Sequence, residues 1–401
     1  MSPSKIQRMF GFYNHKIKDI LLSNRSLTIE FHRTSKAKLR CPKCKSSDIR
    51  LYGKKTRIVR DLPVSNRIVF LKIHQNKIYC SDCGVHTERI SFLDHYARHT
   101  RRFEQLVHKL CHYMTIKDVA NTLKMSWHEV KNIDKKYLAK KYLNPSWKNL
   151  RILGVDEIAF SKGHKYLTIV VNLENGQVIY VGKDRKQTSL ERFFERLGPH
   201  RCRRIKAIAM DLWRPYTAAV RKYLPKAKIV YDKFHLLAEF SRVIDKIRRR
   251  EFQLASQEDR SVIKGSKYLL FKHKESLCAE QQAHLARLLN LNFTLNTTYI
   301  LKDDLYQLWQ CPDRDDAEKH LLSWLHKVKT TTIPALKSYA KILCRRMHGI
   351  LNYFDIPITT AKVEGINNKI KVLKRKAYGY RDMLYFKLKI YDLHNLSSGY
   401  G

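Results

Sequence analysis

The chain has 401 residues, and its 79 lysines and arginines exceed its 36 acidic residues, for a formal net charge of +43. This length is enough for roughly two to four domains with cores of their own, which excludes a short peptide or tail. No apolar run approaches the roughly 20 residues that span a bilayer, and the N-terminus has no signal-peptide pattern, so we expect a soluble cytoplasmic protein without a membrane partner.

The positive charge is spread along the whole chain and is not confined to one tail. A surface of this kind neutralises several phosphates and binds nucleic acid in a strongly salt-dependent way. An anionic membrane surface and a ribosomal role are the alternatives, but basic ribosomal proteins are usually shorter. Nucleic acid is therefore the predicted partner, and the zinc-binding and helix-turn-helix patterns of the N-terminal region favour double-stranded DNA.

The N-terminal region contains four of the nine cysteines. Cys41 and Cys44 form one Cys-x-x-Cys pair, and Cys80 and Cys83 form a second. Two such pairs can give four thiolates to one tetrahedral zinc ion, and a closed shell of this kind is structural. A redox pair and unliganded core cysteines are the alternatives, but no thioredoxin-like pattern surrounds the pairs. We predict a module over residues 1–94 that binds structural Zn²⁺.

Residues 95–148 show a helical pattern with two start signals. The segments Thr115–Asp118 and Ser126–Glu129 each resemble a capping box, in which a hydroxyl and an acid satisfy free amides at a helix start. The sequence predicts helices over 116–123 and 127–138. Two short helices with a tight turn indicate a DNA-binding helix-turn-helix, although a helical hairpin within a core is the alternative. The start of the candidate recognition helix carries Trp127, His128, Lys131 and Asn132.

From Arg151 the pattern becomes that of a sheet. Ile152–Val155 and Tyr166–Leu173 are typical of buried strands, and Asn175-Gly176 predicts a two-residue hairpin turn into the strand Val178–Val181. A helix with a predicted cap formed by Thr188 and Glu191 follows.

A fourth strand, Ile205–Met210, precedes Asp211, and a helix with Pro215 in its first turn leads to a fifth strand, Lys228–Tyr231. The elements follow the order of a ribonuclease-H-like core, which is three antiparallel strands, then a helix, a strand, a helix and a strand. We predict that residues 149–236 form the first part of this catalytic domain. In such a sheet the first and fourth strands are neighbours. Asp156 on the first strand and Asp211 after the fourth are therefore expected to lie close together.

Only helical patterns follow, so we predict an all-helical insertion over residues 237–356 and a final catalytic helix and tail over 357–401. The whole chain is thus predicted to be an α+β multidomain protein. In the last helix, Val363, Ile366 and Ile370 recur at helical spacing and face a core, whereas Glu364 lies among basic and amide side chains.

Glu364 is the third acid of a predicted metal site with Asp156 and Asp211. Breaking a phosphodiester requires charge to be neutralised on the attacking and leaving oxygens, which two divalent ions achieve, and carboxylates are natural ligands for Mg²⁺. We therefore expect two Mg²⁺ or Mn²⁺ ions. For Glu364 the alternative is an ordinary charge pair along the helix, and for the two aspartates it is capping of the turn that follows each strand.

Further polar residues surround these acids in the predicted fold. The neighbours of Glu364 are expected to hold the DNA backbone, with a solvated basic face as the alternative. Asp232 ends the fifth strand, and together with His235 it either orients a metal-bound water or braces the insertion. The predicted DNA-contacting residues of the last helix are Asn367, Asn368, Lys371, Lys374 and Arg375.

The sequence resembles the insertion-sequence transposases of the ISL3 group over nearly its whole length. The motifs that carry the resemblance are Val155–Phe160, Met210–Tyr216, Val230–His235 and Ala361–Lys371. The resemblance implies a zinc-binding module, a helix-turn-helix and a DDE-type catalytic domain in this order. It places the family's catalytic acids at Asp156, Asp211 and Glu364, the three residues already identified.

The sequence therefore predicts a prokaryotic, nucleoid-associated transposase. It is expected to bind the terminal inverted repeats of its element, to cleave a strand with Mg²⁺ and to direct the 3′-hydroxyl at target DNA. The resemblance also implies a homo-oligomer that assembles on paired ends. The alternative is a DNA-binding regulator whose transposase-derived domain is inactive.

Overall fold

The structure is a computed structural model that describes residues 12, 15–34, 38–145, 147–161, 163 and 165–394. The chain divides into two compact units, Met1–Leu143 and Asn144–Gly401, each of which mixes strands and helices. Within the described ranges, none of the helices has the length and apolar character that crossing a bilayer requires.

The first unit contains a five-stranded sheet. Its strand order is β1-β2-β4-β3, and β5 pairs with β4. All pairs are antiparallel except β2 with β4. The strands are β1 (His15–Leu22), β2 (Ser26–Arg33), β3 (Ile49–Val64), β4 (Arg67–Cys80) and β5 (Gly84–Thr87).

The alternation of side chains along this sheet gives it one apolar face and one polar face. Val69, Leu71 and Ile73 of β4 are buried with Ile29 and Phe31 of β2, as the period-two pattern of the sequence predicts. The alternate residues point to the other face, and they include Glu30, His32, Lys72 and His74.

Three helices complete the first unit: α1 (Arg101–Tyr113), α2 (Ile116–Leu123) and α3 (Trp127–Tyr142). Both predicted capping boxes are present, at Thr115 with Asp118 and at Ser126 with Glu129. Between α2 and α3, Lys124 adopts a left-handed conformation with φ of 51°. The helices are fixed to the sheet through buried Asp61, which accepts hydrogen bonds from Thr100 and Arg102.

The second unit is organised around another five-stranded sheet with the order β10-β9-β6-β7-β8. The strands β6, β7 and β8 form antiparallel pairs, whereas β6 pairs with β9, and β9 with β10, in parallel. The first and fourth strands of this sheet are therefore neighbours, as expected. The strands are β6 (Ile152–Ser161), β7 (Lys165–Asn172), β8 (Gln177–Lys183), β9 (Ala207–Met210) and β10 (Lys228–Tyr231).

Helices alternate with the later strands, and helices alone follow β10 among the described residues, apart from two 3-10 turns at Lys274–Ser276 and Leu308–Gln310. The α-helices are α4 (Gln187–Leu197), α5 (Pro199–Cys202), α6 (Arg214–Tyr223), α7 (Lys233–Leu254), α8 (Gln257–Ile263), α9 (Lys267–Phe271), α10 (Ala279–Leu291), α11 (Phe293–Gln307), α12 (Arg314–Thr330), α13 (Pro334–Asp355), α14 (Ala361–Lys376) and α15 (Met383–Asp392).

Two local expectations are wrong. Helix α4 begins after Lys186, which makes no side-chain cap, so Thr188 lies inside the helix. The β7–β8 connection is a four-residue loop, since Asn172 pairs with Gln177. The turn begins earlier because Asn172 accepts the Glu174 N–H at its side-chain oxygen and the Gly176 N–H at its carbonyl.

The second sheet is apolar on both faces and lies between two helical layers. Helices α14 and α15 cover one face, where Val363 and Phe386 share a core with Ile169, and the other face packs against α4, α6 and the later helices. Gly154 of β6 allows α14 to approach closely, because a Cβ there would lie only 2.6 Å from a methyl carbon of Val363.

Candidate active site

Asp156 on β6 lies level with Asp211, which directly follows the adjacent parallel strand β9. Gly154 of β6 pairs with Ala209 of β9, so both aspartates come two residues beyond a paired position. Neighbouring strands are about 4.8 Å apart, and residues two positions apart point to the same face of a sheet. The strand register therefore explains why two acids remote in sequence share one edge of the sheet.

Electrostatics agree with this arrangement. Burial is the main reason that the pKa of Asp156 is raised to about 6. The negative charges of Asp211 and Asp232 act in the same direction, and the Glu157 N–H and the charge of His235 act in the opposite one. The Glu157 N–H donates to Asp156 Oδ1 at 2.8 Å. Excess negative charge thus accumulates at this point of the sheet.

Polar contacts from Thr360, Lys362 and Asn367 attach helix α14 to the sheet. The Thr360 N–H donates to Asp232 Oδ2 at 2.9 Å, Lys362 Nζ donates to the Leu173 carbonyl at 2.6 Å, and Asn367 Nδ2 donates to Asp156 Oδ2 at 2.8 Å. These contacts fix the start and the middle of the helix against β10, β7 and β6. The helix that carries the third predicted acid is thus held rigidly beside the first.

Glu364 lies on α14 between Thr360 and Asn367. Residues four and three positions away lie on the same face of a helix, so Glu364 faces the same side as the two residues that contact Asp232 and Asp156. Its side chain is exposed. Among described residues, the groups of three or more potential metal ligands within 4.8 Å of one another do not include these three acids. The structure brings Asp156 and Asp211 together and leaves Glu364 on the adjoining helix face.

Asp232 is buried, and both its oxygens accept hydrogen bonds. Oδ1 accepts from the Phe234 and His235 N–H groups at the start of α7, and Oδ2 accepts from Thr360. Burial alone would raise the pKa of Asp232, but hydrogen bonds from His235 and Thr360 hold it far below its ordinary value. Asp232 thus joins two helices to the end of β10, and it raises the pKa of exposed His235.

Sequence reasoning missed the arginine beside these acids. Arg185 lies 4.3 Å from the Tyr166 ring and 4.9 Å from the Trp213 ring, and it pairs with Glu157 at 3.3 Å. Burial raises the pKa of Glu157, and Asp211 raises it further. A cleft of about 400 Å³ lies against Tyr166, Arg185 and Trp213. The only sequence signal was the tryptophan two residues after Asp211.

The predicted DNA-contacting residues of α14 divide by exposure. Asn368, Lys371 and Arg375 are exposed and Lys374 is half-buried, so these four lie on an accessible surface. Asn367 is buried, and its amide contacts Asp156, so it faces the sheet and not the solvent.

The four paired cysteines converge in the first unit. Their sulfur atoms all lie within 4.8 Å of one another, with 3.6 Å between Cys44 and Cys80. Each pair is followed by a left-handed residue, Lys45 or Gly84, as expected of tight knuckles. Hydrogen bonds, the largest from the Cys44 N–H, lower the pKa of the Cys41 thiol, whereas burial raises the pKa values of the Cys80 and Cys83 thiols. This tetrad has the ligand number and type of a structural zinc site.

The start of α3 presents its predicted DNA-contacting side chains to solvent. Trp127, His128 and Asn132 are exposed. Lys131 is half-buried because its Nζ lies over the Trp127 ring, 5.5 Å from the ring centre. Val130 and Ile133 on the opposite face of α3 pack into the helical core. The N-terminal turns of α3 therefore form a polar, cationic surface supported by a rigid core.

Comparison with known proteins agrees with this organisation. A family model described as a transposase matches residues 153–390. A second, the helix-turn-helix domain of transposase family ISL3, matches residues 88–138. A third, the zinc-finger of transposase IS204/IS1001/IS1096/IS1165, matches residues 38–83.

Individual relatives point to the same family. The chain is 37% identical over 370 residues to the transposase for insertion sequence element IS1001 of Bordetella parapertussis, and the match covers 91% of both chains. It is 25% identical over 338 residues to the transposase for insertion sequence element IS1557 of Mycobacterium tuberculosis, and this match covers 78% of this chain and 76% of the relative. The chain belongs to the ISL3 family of insertion-sequence transposases.

Proposed function

We propose that this chain binds the terminal inverted repeats of its element and catalyses metal-dependent DNA strand cleavage and strand transfer. The observation that supports the proposal is the register of two adjacent parallel strands, which sets Asp156 on β6 level with Asp211 directly after β9, with the Glu364 helix attached beside them. The second sheet has three antiparallel strands, β6 to β8, and two parallel strands, β9 and β10, on the other side of β6. This is the strand order of a ribonuclease-H-like sheet. We interpret the second unit as a DDE-type domain because of this strand order and the placement of the acids.

The site residues fit divalent cations. Asp156 and Asp211 offer hard oxygen ligands, the type that Mg²⁺ and Mn²⁺ prefer. Burial is the main cause of the raised pKa of Asp156, but the charges of Asp211 and Asp232 contribute to it, and a bound cation would offset both effects. We assign Asp156, Asp211 and Glu364 as the ligands of two ions. When bound, such ions neutralise charge on the attacking and leaving oxygens of an in-line displacement.

The protein's own groups would position the substrate. Asn367 orients the Asp156 carboxylate, and Asp232 fixes the start of α14 through Thr360, so the carboxylates are held before DNA arrives. Lys371 and Arg375 extend from the exposed side of the same helix and would contact backbone phosphates, opposing the repulsion between DNA and the acids.

End recognition belongs to the first unit in this proposal. The exposed start of α3 would enter a major groove with Trp127, His128, Lys131 and Asn132. A homo-oligomer would bring two ends together before strand transfer into target DNA.

The direct test is to mix purified protein with labelled element ends. Cleavage in Mg²⁺ and binding without cleavage in EDTA would support the proposal. Binding of the ends without cleavage in both Mg²⁺ and Mn²⁺ would contradict the catalytic part and leave a DNA-binding protein.

A further inference from the structure

A second cluster of metal-ligating side chains lies on the polar face of the N-terminal sheet, apart from the cysteines. Glu30 and His32 on β2 and His74 on β4 each offer one ligand atom, and these three atoms all lie within 4.8 Å of one another. The parallel register that pairs Phe31 with Ile73 brings the two histidines side by side, with ring centres 4.8 Å apart. The rigid sheet itself therefore gathers the cluster.

The interatomic distances suit a small divalent ion. Glu30 Oε1 lies 3.0 Å from His74 Nε2 and 3.4 Å from His32 Nε2. Tetrahedral zinc with bonds of about 2.0–2.1 Å places its ligand atoms about 3.3 Å apart. Two of the three ligand–ligand distances are thus already close to the required value without any backbone movement.

Neighbouring groups orient the ligand atoms. His74 Nδ1 lies 3.1 Å from Thr56 Oγ1, and donation from Nδ1–H to that hydroxyl would direct the Nε2 lone pair towards the cluster. His32 Nε2 is buried and makes no hydrogen bond in the structure. A buried imidazole nitrogen without a hydrogen bond, directed at a carboxylate and a second imidazole, is a favourable position for a metal.

Two lysines also contact Glu30, and a metal would have to coexist with them. Lys72 Nζ lies 2.9 Å from Oε2, so this contact leaves Oε1 directed at the imidazoles. Lys18 Nζ lies 3.4 Å from Oε1, and its side chain is 60% exposed, so it can move away at little cost. Without a metal, the same residues form an ion-pair network, which is the alternative to a metal site.

We propose that Glu30 Oε1, His32 Nε2 and His74 Nε2 bind a second zinc-class divalent ion. Two imidazoles and one carboxylate are the nitrogen and oxygen ligands that Zn²⁺ accepts, and three protein ligands leave a fourth position for water or an anionic oxygen. This site differs from the cysteine tetrad, whose four sulfur atoms fill the shell. Its existence does not depend on the catalytic proposal.

Metal analysis of the full-length, untagged protein tests the site. After dialysis against Zn²⁺ and removal of excess metal in buffer with Mg²⁺, we expect His32→Ala and His74→Ala each to retain one zinc ion per chain fewer than the unmodified protein. This difference does not depend on any zinc that the acidic residues of the second unit retain. His95→Ala, which removes an exposed histidine elsewhere in the same unit, should retain as much zinc as the unmodified protein. Equal zinc content in the unmodified protein, His32→Ala and His74→Ala would overturn the proposal.

Cobalt substitution separates the two sites spectroscopically, because thiolate-to-metal charge transfer marks only the cysteine tetrad. We expect one equivalent of Co²⁺ to develop that absorption and a second to add weaker visible bands that His32→Ala and His74→Ala lack. Retained charge-transfer absorption in these variants would also show that the zinc module is folded. Visible bands that are identical with and without His32 and His74 would contradict the proposed ligands.

Discussion

Asn367 Nδ2 donates a 2.8 Å hydrogen bond to Oδ2 of Asp156, a residue 211 positions earlier in the chain. This contact joins the helix that carries Glu364 to the strand that carries the first predicted catalytic acid. It leaves Oδ1 of Asp156 with the Glu157 N–H as its donor. The carboxylate is therefore fixed in orientation by one side chain and one backbone group.

Replacing Asn367 by alanine should lower the free energy of unfolding by about 1–3 kcal/mol, because a partly buried carboxylate loses its side-chain donor. Urea unfolding measures the change. The matched control is Asn368→Ala, since Asn368 is the adjacent, exposed asparagine, and it should change stability by less than about 0.5 kcal/mol. Equal effects of the two substitutions would show that the Asp156 contact contributes nothing.

Asp156→Asn should stabilise the protein at neutral pH in magnesium-free buffer. The folded-state pKa of about 6 lies above the ordinary value of 3.8, so the folded protein binds the proton more tightly. Wild-type stability from this group therefore falls as pH rises from about 4 to 6, and the variant avoids a loss on the order of 1–3 kcal/mol.

The pH dependence of unfolding provides the measurement for Asp156. The advantage of Asp156→Asn should be full at pH 7 and should vanish below about pH 4, where the aspartate is protonated in both states. Asp355→Asn should give the opposite sign at neutral pH, because the hydrogen bond from Lys228 and the charge of Arg314 lower the pKa of Asp355. An advantage of Asp156→Asn that does not change with pH would refute the explanation.

Asp232 and Thr360 should be energetically coupled, because the buried carboxylate accepts both the N–H and the hydroxyl of Thr360. In a double-mutant cycle with Asp232→Asn and Thr360→Val, we expect a coupling energy of about 1–3 kcal/mol in the unfolding of the second unit. Additive effects of the two substitutions would mean that this contact does not hold α14.

Lys131→Ala should weaken binding to element ends and reduce the slope of log affinity against log salt by about 1, as expected when one phosphate contact is lost. Fluorescence anisotropy at several salt concentrations measures both effects. Lys140→Ala is the control, because Lys140 is an exposed lysine near the far end of the same helix. Equal losses in the two variants would indicate general charge attraction and not recognition by the start of α3.

Local patterns were sufficient to predict several parts of this fold. The capping boxes at Thr115 and Ser126 depend on atoms within four residues, so they can be identified in the sequence and both are present. The strand order of the second sheet followed from the succession of strands and helices. The two Cys-x-x-Cys pairs predicted the cysteine tetrad equally well, because the short spacing within each pair is that of a tight turn that directs both sulfur atoms to one point.

Contacts between remote residues could not be predicted in this way. Asn367 was expected to face DNA, but it is buried against Asp156 because it lies on the same helix face as buried Val363 and Ile370, and its partner on β6 has no signal in the sequence. The pairing of Arg185 with Glu157 depends on the bend after β8, for which the sequence has no periodic signal. Thr188 failed as a helix cap because the helix begins earlier, at Gln187.

Cleavage of labelled element ends in Mg²⁺ by single-residue variants is the most direct measurement of the central claim, that three remote acids form one metal site. Asp156→Ala, Asp211→Ala and Glu364→Ala should each lose cleavage by on the order of a thousandfold, equivalent to several kcal/mol, while binding the ends normally. Glu174→Gln, a control at an exposed acid in the β7–β8 loop, should lose far less. Near-normal cleavage by Asp156→Ala, Asp211→Ala or Glu364→Ala would contradict the proposed site.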